Sequence, residues 1–140
     1  MSIIAFKTTS KAKLARYILS EIATHMQGTV LQQITENEKV CTLEHIMPKS
    51  RTADWVKAAK DEAEYYAYVN RLGNLTLIER AVNMVSGSSK FPKKVSEAYA
   101  KSELKMNTEL AEYSRWTTAE IQNRQAKLAN HAVTVWRLPY

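Results

Sequence analysis

The chain has 140 residues, 45% of them hydrophobic, which suits one domain over residues 1–140 with a real core and excludes wholesale disorder. Its single cysteine, Cys41, excludes an internal disulfide framework and a cysteine-rich zinc site, and fits a reducing, cytoplasmic setting. A net charge of +6, from 20 Lys and Arg against 14 Asp and Glu, favours polyanionic partners, although ordinary solubility charge has the same footprint.

No apolar run nears the roughly 20 residues that span a bilayer, so no membrane partner is expected. The opening "MSIIAFKTTSKAKLARYILSE" has no long apolar stretch of the signal-peptide kind. From Ser10 the chain reads as a helix, with Leu14, Ile18 and Ile22 four residues apart and Tyr17 and Met26 near the same face. Ser10 suits its N-cap and Gly28 its stop. "NEK" then suggests a turn, and Val40, Thr42 and Leu43 a strand that Pro48 should end. "TADWVKAAKDEAEYYAYVNR" reads as one helix, with Trp55, Ala59, Ala63 and Tyr66 at helical spacing. "LGNLTLIE" reads as a second strand opened by Gly73, and "RAVNMV" as a helical turn broken by "SGSS". "PKKVSEAYAKSELK" predicts a helix with Pro92 in its first turn. Thr117 and Glu120 match a capping box opening a last helix with Ile121, Leu128 and Val135. Trp55, Trp116 and Trp136 are expected in the core. His25 and His131, near helix ends, are expected to play surface roles.

The sum is an α+β chain, mainly helical, with two short strands that bracket an unusual polar set. Glu44 and His45 close the first strand, Asn74 lies in the second, and Asn83 follows nine residues later. If the strands pair and the helical turn packs across them, the four side chains converge. Each has a plainer reading alone. Glu44 and His45 could be a solvated strand end, Asn74 turn chemistry beside Gly73, and Asn83 a helix cap.

"EHIMP", "LGNLTLIERAVN" and "FPKK" together resemble the C-terminal nuclease domain of GmrSD-type, modification-dependent restriction enzymes, within the HNH or ββα-metal endonucleases. The resemblance takes in the "YILSEI" helix, Trp55, Trp116, Arg124 and Trp136, and covers roughly residues 5–138. It implies an HNH core with two short antiparallel strands embedded in helices. It implies that Glu44 is the acidic metal ligand, His45 the general base and Asn83 the second metal ligand. It makes Asn74 the middle motif residue, which orients the histidine and tethers the loop between the strands. Lys94, three residues after Phe91, resembles the lysine of an F-x-x-K phosphate contact. One departure is Ser86-Gly87 where the family pattern has Ser-Asn. The family's N-terminal nucleotide-hydrolysing or DNA-sensing domain would be a partner, in cis or as a subunit.

The chemistry agrees with these roles. Histidine can accept a proton from water near neutral pH. A carboxylate and an amide oxygen are hard ligands suited to Mg²⁺ or Mn²⁺. Lys90, Lys94, Lys101 and Lys105 are candidate nucleic-acid contacts, the last three at helical spacing. The expected activity is metal-dependent hydrolysis of DNA phosphodiester bonds in the restriction of foreign modified DNA. Rival readings are a non-cleaving DNA-binding or partner-dependent effector module, an RNA-directed nuclease, and a helical interaction domain.

Overall fold

The computed structural model describes residues 9–29, 31–82 and 87–137. The chain forms α1 (Thr9–Gln27), a short α2 (Gln32–Thr35), strand β1 (Cys41–His45), a 3-10 segment (Ala53–Ala58) and α3 (Glu62–Tyr68). A 3-10 turn (Leu72–Asn74) leads into β2 (Leu75–Glu79). Then come α4 (Phe91–Glu97), a 3-10 turn (Tyr99–Lys101), α5 (Lys105–Thr108), a 3-10 turn (Glu109–Glu112) and α6 (Thr118–Val135). This is a mainly helical α+β architecture, with one two-stranded antiparallel sheet among the described residues. Among those residues no helix is long and apolar enough to cross a membrane.

The strand pair organises the core. Cys41 pairs with Glu79, Leu43 with Leu77, Glu44 with Thr76 and His45 with Leu75. Side chains alternate between the faces of a strand. Cys41, Leu43, Leu75 and Leu77 therefore share one face, where they cluster with Ala15, Leu19 and Ile22 of α1 and Leu128 of α6. Ile78 lies on the other face and clusters with Ile46, Trp55, Tyr65, Phe91, Tyr99 and Trp116. The hairpin thus divides two apolar clusters. Glu44 belongs to the face of Ile78, and His45 to the face of Leu75.

Local signals place several boundaries. Gly28 ends α1 with φ of 76°, the left-handed region that glycine enters without strain, and its N–H donates to Thr24 O at 2.9 Å. Ser10, the expected N-cap, falls within α1. Asn37 makes the turn into β1, its carbonyl accepting the N–H groups of Val40 and Cys41, both at 2.9 Å. Thr117 and Glu120 form the expected capping box at the start of α6.

Elsewhere tertiary contacts override the expected periodicity. The buried stripe of α1 is Ala15, Leu19, Ile22 and Ala23, while Leu14 and Tyr17 are exposed. Ile18 and Met26 pack against the same cluster, and the two small alanines on this face are missed by a count of large apolar residues. The helix expected through residues 52–71 breaks where Ala59 turns extended, with φ −135° and ψ 159°. It restarts at Asp61, whose carboxylate accepts the Glu64 N–H at 2.8 Å. The break resets the phase, so Tyr65 is buried and Tyr66 exposed. The helix beginning at Phe91 stops at Glu97. Beyond it Ser102 donates to Glu79 Oε1 at 2.6 Å. Buried Asn107 donates to Leu77 O at 2.7 Å and accepts the Thr76 hydroxyl. These bonds to β2 outweigh helix propensity. Lys94, Lys101 and Lys105 therefore lie on three separate elements and form no helical stripe. Trp55 and Trp116 are buried as expected, but Trp136 is 40% exposed, its ring centroid 6.3 Å from that of Tyr17.

Gly73 is a point of close approach. A Cβ there would lie 2.3 Å from Ile121 O and 2.9 Å from Gln125 N, both backbone atoms of α6. Gly73→Ala must therefore push α6 away, and overpacking of this kind costs about 3 kcal/mol. The expected result is a clear fall in the urea midpoint with little change in slope. An unchanged midpoint would show that α6 yields freely.

His25 and His131 join α1 to α6, with their Nδ1 atoms 2.9 Å apart. One must donate and the other accept, so a second proton on this pair sets like charges together. Burial and His25 pull the His131 pKa below its ordinary value, with Glu109 opposing. The unfolded chain therefore takes up this proton at a higher pH than the folded chain. Its stabilising effect is present above the unfolded value, about 6.5, and is lost as pH falls below it. Melting temperature should fall more steeply below pH 6.5 in the parent than in His131→Gln. Parallel curves would remove the pair as a source of acid sensitivity.

Candidate active site

The segment leaving β1 is short and contains Pro48, so its polar backbone groups cannot all be met by a regular ladder. Side chains from three distant places meet most of them instead. Ile46 N–H extends the hairpin by one step, to Asn74 O at 2.9 Å. Met47 N–H donates to Asn74 Oδ1 at 2.7 Å, and Asn74 Nδ2 returns a bond to Met47 O at 2.9 Å. Lys94 Nζ donates to His45 O at 2.9 Å and to Ile46 O at 2.8 Å. Tyr65 donates its hydroxyl proton to Pro48 O at 2.6 Å. Four consecutive carbonyls, from His45 to Pro48, are each held by a side chain. The Glu44–His45 pair sits at the entrance to this locked segment.

Asn74 is fully buried, at the end of the 3-10 turn just before β2 and not within the strand. Its Oδ1 also accepts the Trp116 indole N–H at 3.0 Å, and its Nδ2 also donates to Val69 O at 2.8 Å. Its amide ties Met47 to Val69 within the segment between the strands. Its amide bonds go to Met47, Val69 and Trp116, and the imidazole of His45 has a different partner. His45 Nε2 lies 3.0 Å from Asn70 Oδ1. Burial lowers the His45 pKa from its ordinary value; the Asn70 bond opposes this, and nearby Lys49 and Lys94 add to it.

On the opposite face, Glu44 Oε2 accepts the Tyr99 hydroxyl at 2.9 Å and stands 3.5 Å from Lys94 Nζ. Burial and the Glu44 carboxylate push the Tyr99 pKa well above its ordinary value, so Tyr99 acts as a neutral donor. Lys94 corrects an expectation. It is 1% exposed and occupied by two carbonyls and Glu44, so it braces the β1 exit from inside and is no surface contact for phosphate. The F-x-x-K spacing serves this bracing. Phe91 stacks on Trp116 with ring centroids 5.5 Å apart, and Lys94, one helical turn later, reaches the β1 exit. Burial lowers the Lys94 pKa, and Glu44 opposes that shift.

α6 supports the same site from behind. Arg124 is buried and donates from Nη1 to Gly73 O at 3.0 Å and to Leu75 O at 2.6 Å, bracketing Asn74. Burial pulls its pKa down to about 10, so it stays cationic at neutral pH.

Of the predicted site residues, Glu44, His45, Asn74 and Lys94 meet around the β1 exit. Asn83 lies outside the described residues. Lys90, Lys101 and Lys105 are exposed, with Lys90 Nζ 3.9 Å from Asp54 Oδ1. Sequence reasoning missed Asn70, Tyr65 and Tyr99. Asn70 had one signal, an amide side chain four residues before Asn74 at the end of a helix. The two tyrosines had none, since their hydroxyls act 17 and 55 residues away in sequence.

For a metal, the donor set is of the hard-oxygen kind. Among the described residues no group of three or more His, Cys, Asp or Glu side chains could hold an ion. Glu44 is the one expected ligand within them, and its carboxylate has two oxygens, of which Oε2 meets Tyr99 and Lys94. A carboxylate oxygen is a hard donor of the kind that Mg²⁺ and Mn²⁺ take.

A family model described as GmrSD restriction endonucleases, C-terminal domain, matches residues 3–131. No curated protein matches the chain.

Proposed function

Because the chain belongs to the family of C-terminal domains of GmrSD restriction endonucleases, we propose that it is an HNH-type nuclease domain hydrolysing DNA phosphodiester bonds in the restriction of modified foreign DNA. The observation that carries this reading is the adjacent pair Glu44 and His45, split between two faces of a strand end whose following backbone is locked.

In this reading His45 takes a proton from a water molecule. The water oxygen forms a bond to phosphorus as the bond to the 3′ oxygen breaks, and the leaving oxygen takes its proton from solvent. His45 suits the task because burial favours its neutral form. Glu44 and Asn83 would hold Mg²⁺ or Mn²⁺, which when bound stabilises charge on the phosphate oxygens. Tyr99 and Lys94 fix the Glu44 carboxylate from inside the protein. Asn74 keeps the β1 exit at a constant distance from the Asn70 segment by bonding both. Lys90, Lys101 and Lys105, exposed, would supply cations for the DNA backbone. The partner of the domain would be the family's N-terminal portion, which would read or sense the DNA.

The test incubates purified protein with modified and unmodified phage DNA, and with RNA, in Mg²⁺, Mn²⁺ or excess chelator. Metal-dependent cleavage of DNA to 5′-phosphate and 3′-hydroxyl ends is expected. Cleavage in excess chelator, or ends carrying a cyclic phosphate, would overturn the mechanism. Cleavage of RNA alone would overturn the substrate.

A further inference from the structure

His45 has two ring nitrogens, and only one can be the base. A neutral imidazole carries its proton on the nitrogen that donates a hydrogen bond, leaving the other as acceptor. Nε2 faces Asn70 Oδ1 at 3.0 Å. An amide oxygen only accepts, so the bond requires the proton on Nε2.

The backbone on either side of Asn70 is held in place. Val69 N–H before it bonds Tyr65 O at 3.0 Å, and Arg71 N–H after it bonds Tyr68 O at 3.0 Å. Val69 O accepts from Asn74 Nδ2 at 2.8 Å, and Asn74 N–H donates to Arg71 O at 2.9 Å. The Arg71 guanidinium lies 3.7 Å from the centroid of the Tyr68 ring. The backbone of His45 is fixed by Lys94 and by the pairing with Leu75. Both ends of the Nε2···Oδ1 bond are thus anchored, the condition for one side chain to set the aim of another.

We propose that Asn70 is the positioning residue of this site: its amide oxygen holds His45 in the Nε2–H tautomer and leaves the Nδ1 lone pair to take the proton of the attacking water. The catalytic use of Nδ1 rests on the nuclease reading above; the tautomer does not. Asn74 contributes at one remove, because its Nδ2 ties together the loop that follows His45 and the segment that carries Asn70.

The decisive measurement is a long-range proton–nitrogen correlation spectrum of histidine-labelled protein, with His45 assigned by its absence in His45→Ala. With neutral imidazole, the wild type should show His45 protonated on Nε2. Asn70→Leu should lose that preference, and Asn70→Asp, which keeps an accepting oxygen, should retain it. In single-turnover cleavage at saturating metal, Asn70→Leu should fall about 10- to 100-fold, the usual effect of removing an orienting partner. Asn70→Asp should recover most of the loss, and DNA affinity should hold in both. A wild-type His45 protonated on Nδ1 overturns the proposal, and needs no variant to fold. Wild-type rate in a folded Asn70→Leu overturns the positioning role. A wild-type chain that cleaves no nucleic acid overturns the nuclease reading and the catalytic use of Nδ1 with it, while the tautomer still reports whether Asn70 sets it.

Discussion

His45→Ala is expected to fold like the parent and to cleave DNA about 10²- to 10⁴-fold more slowly in a single turnover, the usual effect of removing a general base. The two halves of this result have separate causes. The His45 contacts that build the structure come from its backbone, through the pairing with Leu75 and the bond from Lys94. Its half-buried imidazole bonds Asn70, and losing one such bond costs about 1 kcal/mol. Raising the metal concentration should not restore the rate, because no ligand has been lost. A rate within a factor of a few of the parent would remove His45 as the base. A collapsed melting temperature would make it a structural residue.

Asn74→Ala should do the reverse and fail at the level of folding. Its side chain makes four hydrogen bonds in a fully buried position, to Met47 N, Met47 O, Val69 O and Trp116 Nε1. An alanine leaves four buried polar groups without partners. At about 1 kcal/mol or more for each, the loss reaches about 4 kcal/mol, against a total stability of about 5–15 kcal/mol for a typical domain. Chemical denaturation should show a large drop in midpoint, with activity lost because the fold is lost. Melting close to that of the parent would show that Lys94 and Tyr65 hold the loop without it.

How much of this is legible in the sequence depends on the range of the force involved. Gly28, Asn37, Pro48 and the Thr117–Glu120 capping box act within a few residues, and each does locally what its residue type suggests. Glu44 and His45 close β1 as expected, whereas Asn74 stands in the 3-10 turn before β2 and not in the strand. The rest is set by partners that no local pattern names. Lys94 looks like a surface lysine until its two backbone acceptors and Glu44 are seen beside it. The imidazole of His45 bonds Asn70 and not Asn74, whose amide is taken up by Met47, Val69 and Trp116, and no spacing in the sequence says which amide meets which partner. On α1, Ile18, Ile22 and Met26 pack on the core as expected, while Leu14 and Tyr17 are exposed and the small Ala15 and Ala23 are buried with Leu19.

The locked β1 exit also bears on how the molecule breathes. The amide protons of Ile46 and Met47 are both closed by Asn74, one through its carbonyl and one through its side chain. Neither can exchange with solvent deuterium unless Asn74 leaves, and its departure releases Val69 and Trp116 as well. Small local openings, which let water reach most loops, are closed to this one, and its exchange should follow rare, large-scale opening.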